Sequence, residues 1–224
     1  MAQNNFEGRI GFAGGYFAGW NLTDFDKLNS FVNLHDSQKF SRNGFYFHGG
    51  GGYVYIMIIP NLRVGGIGMS GSQSISSRIS SGTVQKIEYH QSFGGLSVEY
   101  TTSLSSVNIS FGGIIGIGET KLHLKNLIPN SDWNDIWKNF GDTISINQNY
   151  SNLLTTTYFT FIPTMNIEYS LNRFTALRFG CGYAFNFARD WYINESEKVN
   201  SVPSAIIRSS FYLTGGILIG FFSN

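Results

Sequence analysis

Two-residue periodicity is the feature that most narrows what this chain can fold into. Phe159, Phe161, Met165, Ile167 and Tyr169 lie on one stripe, with Tyr158, Thr160, Thr164, Asn166 and Glu168 on the other, and alternation of this kind places successive side chains on opposite faces of a strand. Between 175 and 188 the odd positions are Thr175, Leu177, Phe179, Cys181, Tyr183, Phe185 and Phe187, while the even ones are Ala176, Arg178, Gly180, Gly182, Ala184, Asn186 and Ala188. Residues 107–118 repeat the pattern, with Val107, Ile109, Phe111, Ile115 and Ile117 opposite Asn108, Ser110, Gly112, Gly116 and Gly118, Ile114 being the exception. Residues 205–222 set Ala205, Ile207, Phe211, Leu213, Ile217, Ile219 and Phe221 against Arg208, Ser210, Tyr212, Thr214, Gly216 and Gly220, with Ser209 as a polar intrusion on the first stripe and Ile206, Leu218 and Phe222 as apolar intrusions on the second. Four further segments, 7–20, 44–59, 62–74 and 84–101, bring the count to eight. Parity slips near Gly65-Gly66 and Gly94-Gly95 predict β-bulges, and Pro163, which has no N–H to donate, predicts another.

Charge placement decides which side of these strands meets water. The apolar stripes of strands one and five to eight contain no Asp, Glu, Lys or Arg, and Arg9, Glu168, Arg178 and Arg208 all share the stripe rich in Gly, Ala and Ser. Bulky apolar residues outside and small ones inside imply lipid around the strands, because a soluble barrel such as a lipocalin carrying an apolar ligand must invert that order. Only 13% of the residues are charged while 16% are aromatic, which is too little charge for a fully solvated surface. Tight links at Pro60-Asn61, 102–106 and 171–174 alternate with long polar links at 21–43, 75–83, 119–151 and 189–204. An even number of consecutive antiparallel strands can close and leave no unpaired backbone in lipid. The predicted fold is therefore all-β: one domain over residues 1–224, an eight-stranded antiparallel transmembrane up-and-down β-barrel with short turns at one end and long loops at the other.

Composition removes other classes. The longest apolar run, Tyr53 to Ile59, has seven residues, against the roughly 20 needed by a membrane-spanning helix. With 15 Lys+Arg against 14 Asp+Glu there is no field to steer nucleic acid. One cysteine, Cys181, excludes an internal disulfide, and His35, His48, His90 and His123 lack ligand spacing, so neither a metal nor a cofactor is expected. Gly49-Gly50-Gly51-Gly52 lacks the Lys-Ser/Thr of a phosphate loop and reads as close packing or a bend within a strand. Residues 1–5 contain no charged leader or apolar stretch, and the expectation is that any export signal has been removed, with Met1 standing before a mature Ala2-Gln3 start.

The stretch Thr214-Gly215-Gly216-Ile217-Leu218-Ile219-Gly220-Phe221 resembles the terminal assembly signal of bacterial outer-membrane barrels, in which a polar residue and a glycine precede two hydrophobic or aromatic positions, here Thr214, Gly216, Ile219 and Phe221. With the alternating strands and the short-turn, long-loop asymmetry, the whole chain resembles small barrels of the OmpA/OmpX type, although it runs on through Phe222-Ser223-Asn224. The resemblance implies residence in the bacterial outer membrane, short turns toward the periplasm and long loops outside. It also implies outer-membrane lipid and the barrel-assembly machinery as partners, with a protein partner at the long loops. The expected role is non-enzymatic anchoring of surface loops, for envelope integrity, adhesion or membership of a larger complex.

Several side-chain groups are candidates for a site. His90-Gln91-Ser92 places a base and a nucleophile on one face of a strand, as in lipid A deacylases, which are also eight-stranded outer-membrane barrels. Phe93 stands where that family has Asn, however, and the acids Glu88 and Glu99 are off its spacing, so a structural histidine is expected. Trp133, Ile136, Trp137 and Phe140 recur at helical spacing and predict a short amphipathic helix in the longest loop. Tyr16, Trp20, Trp191 and Tyr192 read as anchors at the membrane interface. Finally, Arg9, Arg63, Glu99, Glu168 and Arg178 all fall near the short-turned end of inward stripes, which predicts a charge cluster in the lumen. Centring the hairpin at Asn172 makes Glu168 and Arg178 diagonal neighbours, with Glu168 opposite Ala176.

Overall fold

A computed structural model describes residues 11–32, 34, 38–79, 83–104, 106–127, 150–203, 206–207 and 209–222. The strands are β1 (Gly11–Leu22), β2 (Phe45–Tyr55), β3 (Leu62–Arg78), β4 (Val84–Leu104), β5 (Val107–Leu127), β6 (Tyr150–Asn172), β7 (Thr175–Ile193), β8 (Glu197–Val199) and β9 (Ser210–Phe222), with a one-turn helix α1 (Asp26–Asn29) after β1. Each long strand pairs antiparallel with its sequence neighbour. β7 pairs β9 and β9 pairs β1, closing a ring of eight strands, and the three-residue β8 adds only a hairpin flap on β7. Apolar side chains of the alternating pattern face outward, including Phe12, Phe111, Ile115, Phe159, Phe179, Leu213 and Ile219. The protein is thus a transmembrane β-barrel, as its charge placement predicts.

The wall is of unequal height. β4 and β5 have 21 residues each and β6 has 23, whereas β1 and β2 have 12 and 11. At about 3.3 Å per residue and a tilt of about 40°, the difference of nine to twelve described residues corresponds to roughly 23–30 Å of strand height, divided between the two ends. This corrects the expected loops: residues 75–78, 119–127, 150–151 and 189–193 are strand. The sequence misleads there because the apolar stripe changes face. On β5, Ile115 and Ile117 point outward, but Leu122 and Leu124 pack inward; on β4, Leu96, Val98 and Tyr100 point outward, but Ile87 and Tyr89 point inward. Where the strands leave lipid for water, the outer face becomes polar and the inner face apolar.

The same exchange of faces explains the parity slips. β3 keeps continuous register with β2 and β4 through Gly65-Gly66 and Gly94-Gly95, so no bulge exists at either pair. Pro163 likewise sits in unbroken register opposite Gly113. Bulges occur instead between Thr156 and Tyr158 and between Ser170 and Asn172. The last strand begins at Ser210, not 205, and Ile207 is buried beneath the tall wall where an outward position was expected.

The inner face of the tall wall is covered by the two connections that cross it. Phe25, Leu28, Leu34 and Phe40 from the first long link, and Val202, Ile206 and Ile207 from the last, pack on Ile75, Tyr89, Leu122 and Trp191. Phe25 stacks on Phe40 at 5.2 Å and meets Tyr89 edge-on at 4.9 Å. Asn29 staples the loop by donating Nδ2 to the Phe40 carbonyl at 3.0 Å and accepting the Phe40 N–H at 2.8 Å. Trp191 therefore belongs to this core, which corrects its reading as an interfacial anchor; Tyr16, Trp20 and Tyr192 do face outward. The helix expected from Trp133, Ile136, Trp137 and Phe140 lies outside the described residues.

Candidate functional site in the lumen

Inward positions near the short turns bring four charges together. Arg63 of β3 and Glu168 of β6 have side-chain exposures of 0%, and Glu99 of β4 has 5%. Arg63 donates from Nε to Glu99 Oε2 at 2.7 Å, from Nη1 to Glu168 Oε2 at 3.3 Å and from Nη2 to Ser110 Oγ at 2.6 Å. Arg178 of β7 donates from Nη2 to Glu99 Oε1 at 2.5 Å, and its Nη1 lies 3.8 Å from Glu168 Oε2. Tyr53 closes the group: its hydroxyl donates to Glu168 Oε1 at 2.7 Å and its ring lies 4.0 Å beneath the Arg63 guanidinium. Asn166 Nδ2 donates to Glu99 Oε1 at 3.3 Å. Two cations and two anions leave the quartet neutral, the condition under which buried charges persist. Arg9 lies outside the described residues.

Register accounts for the geometry. The turn residues are Arg173 and Phe174, with the Phe174 N–H donating to Asn172 Oδ1 at 2.8 Å. Asn172 pairs Thr175, and the bulge beyond it sets Glu168 directly opposite Arg178, not opposite Ala176 as the centring at Asn172 required. The hairpin therefore presents the two side chains as a direct cross-strand pair. Tyr53 and Ser110 were missed as members. Ser110 stood on the small-residue stripe, where its contact with a charge carries no sequence mark, and Tyr53 was hidden inside the longest apolar run.

Above the quartet Ile114, Ile162, Ala184 and Tyr212 form a buried apolar cluster in the bore. A second polar layer follows: Asn21 Nδ2 donates to Gln91 Oε1 at 3.2 Å, Gln91 Nε2 to the Tyr158 hydroxyl at 3.1 Å, and Thr160 Oγ1 to Asn186 Oδ1 at 2.8 Å. The aromatic cap of Phe25, Phe40, Phe45 and Tyr89 lies above that. Polar and apolar layers thus succeed one another along the bore, with a small cavity between the quartet and Tyr212.

The other candidates fall elsewhere. His90 and Ser92 lie on the outer face of β4, directly opposite Lys121 and Glu119 of β5, and no side-chain hydrogen bond joins them. Neither proposed acid serves them. Glu99 faces the lumen, and Glu88 accepts Lys86 Nζ and Lys125 Nζ, each at 2.6 Å. Those two ammonium groups hold the Glu88 carboxyl down at about 2. Partial burial and Lys125 keep the His123 imidazole below its ordinary pKa, which weakens its 3.7 Å approach to Glu88 as an ion pair. Among the described residues no group of His, Cys, Asp and Glu is arranged to hold a metal ion. In β9, Thr214 and Gly216 face the lumen while Ile219 and Phe221 face outward. A Cβ at Gly216 would lie 2.5 Å from the Phe17 ring, so this position demands glycine.

Solved structures align with the chain over nearly its whole length. A major outer membrane protein from Thermus thermophilus matches at 11% identity and a TM-score of 0.51, covering 95% of this chain and 99% of that one. The chain has the fold of a small outer-membrane β-barrel. OprG from Pseudomonas aeruginosa (12% identity, TM-score 0.48, 96% of this chain and 97% of that one) is a similar barrel. So is Ail, the attachment invasion locus protein of Yersinia pestis (12%, 0.44, 96% and 99%). No protein-family model matches the barrel, and no curated protein matches its sequence.

Proposed function

We propose that this protein is a non-enzymatic barrel of the bacterial outer membrane that anchors a raised platform of strands and loops at the cell surface, for adhesion, envelope integrity or docking into a larger complex. The observation that carries this reading is the succession of side-chain layers across the bore: the Arg63–Glu99–Glu168–Arg178 quartet, the Ile114–Ile162–Tyr212 cluster and the aromatic cap follow one another along the axis. In this reading the quartet is a plug that fixes strand register, Thr214, Gly216, Ile219 and Phe221 engage the assembly machinery, and the partner meets the long-looped end. With Glu99 in the lumen and Glu88 held by Lys86 and Lys125, no acid is left to orient His90 beside Ser92, which argues against lipid A deacylase chemistry.

Three measurements test it. Purified barrel in planar bilayers should show no sustained ion conductance. Lipid A from expressing cells should keep its acyl chains, with or without Ser92→Ala. An amine-reactive, membrane-impermeant label on intact cells should modify Lys86, Lys121 and Lys198, whose side chains are 36%, 38% and 54% exposed. Steady conductance, Ser92-dependent deacylation or protection of those lysines would each overturn the proposal.

A further inference from the structure

Two buried hydroxyls in the middle of the lumen have no partner among the described residues. Thr164 Oγ1 and Tyr212 OH make no hydrogen bond to any of them, although the residues are only 9% and 7% exposed. They belong to one transverse row, since Gly182 of β7 pairs with Thr164 on one side and with Tyr212 on the other. The Tyr212 ring folds over Gly182 so closely that a Cβ there would lie 2.6 Å from its hydroxyl, which directs the phenol across β7 toward β6. Both residues line a cavity shared with Glu99, Asn166, Arg178 and Thr214, which holds about 40 Å³ of room for the centres of water molecules.

We infer that this cavity is a binding site for a fixed cluster of water that joins Tyr212 and Thr164 to the charge quartet. Leaving two buried hydroxyls unpaired carries a desolvation penalty that an ordered water removes. Each water needs roughly 10–15 Å³ of such room, so about three fit and larger solutes do not. Charge argues for a neutral occupant, because the one guanidinium and the one carboxylate that line the cavity, Arg178 and Glu99, already pair with each other. The cluster has a structural task. β9 closes the barrel yet contributes no side chain to the quartet, whose members come from β3, β4, β6 and β7. Water at Tyr212 is what ties the closing strand to it.

The sign of a stability change tests the inference. In a hydrated cavity Tyr212→Phe and Thr164→Val each remove a hydrogen bond to water, so each should lower the urea midpoint for unfolding from lipid vesicles. The double variant should lose less than the sum, because the same waters are released. In a dry cavity both substitutions delete an unsatisfied group and raise the midpoint; an unchanged or raised midpoint in both overturns the inference. Wild-type protein gives a second, mutation-free measurement. In water-edited solid-state NMR, the Tyr212 ring and the Thr164 methyl should receive magnetisation from bound water while the buried Ala176 and Leu218 do not. Silence at Tyr212 and Thr164 also overturns it.

Discussion

Replacing Glu168 by Gln keeps the shape of the side chain and removes its charge, which makes it the sharpest perturbation of the lumen. The carboxylate accepts the Tyr53 hydroxyl at 2.7 Å and Arg63 Nη1 at 3.3 Å, with Arg178 Nη1 at 3.8 Å. An amide can still accept from Tyr53, but the quartet then carries an unbalanced positive charge inside the barrel. Stranding one member of a buried pair costs about 3–5 kcal/mol. The 11% exposure of the Arg178 side chain, beside a cavity that admits water, places the expected loss near the bottom of that range, about 3 kcal/mol. Glu195→Gln, on an exposed turn, should stay within about 0.5 kcal/mol. Arg178→Met alone uncovers a Glu99 oxygen, whereas in the Glu168→Gln background it restores neutrality. The double variant should therefore be less damaged than the sum by about 1–3 kcal/mol. Urea titration of the barrel in phosphocholine vesicles, followed by tryptophan fluorescence and by mobility on unheated gels, supplies all four numbers. A Glu168→Gln loss no larger than that of Glu195→Gln, or strictly additive effects, would refute the electrostatic account of the plug.

Phe179 faces outward in mid-wall, so Phe179→Arg should cost roughly 2–4 kcal/mol in vesicle refolding, as a cation does near a bilayer midplane; Ala184→Ser, inside, should refold normally. Glu88 titrates near 2 in the fold and near the ordinary 4.5 when unfolded. Its contribution is therefore complete above about pH 4.5, falls as pH drops toward 2, and stays below about 1 kcal/mol because the pair is partly solvated. Glu88→Gln should flatten that part of the stability curve. Phe40→Ala should loosen the cap by about 3–5 kcal/mol, seen as faster hydrogen exchange over 25–32 and 38–45 with the barrel strands unchanged.

The architecture was legible because lipid leaves an unusual signature: the stripe of Phe159, Phe161 and Ile167 is uninterrupted by charge, and every charge on that strand is on the opposite face. What stayed hidden shares one cause. Pattern reading assumes one environment along a strand, and β4 and β5 pass through two, so Leu122 and Tyr89 looked like loop or slipped residues when they were inward members of the same ladder. The lumen charges were legible for a related reason, since Arg63, Glu99, Glu168 and Arg178 are expensive to place anywhere else. Their actual pairing was not, because a single bulge between Ser170 and Asn172 changes who faces whom, and no composition signal marks it. Tyr53 and Ser110 join the network through contacts 115 and 47 residues apart in sequence, beyond the reach of any local rule.

The unequal wall has a mechanical consequence. β4 and β5 pair without interruption from Val84 opposite Leu127 to Leu104 opposite Val107, and β5 and β6 from Asn126 opposite Tyr150 to Val107 opposite Tyr169. A pull applied at the raised tip is carried along the strands into the lipid-embedded rungs, with no linker between tip and anchor to stretch first. The rungs share such a load in shear and do not open one at a time. A contact made at the top of this sheet would accordingly be stiffly coupled to the membrane.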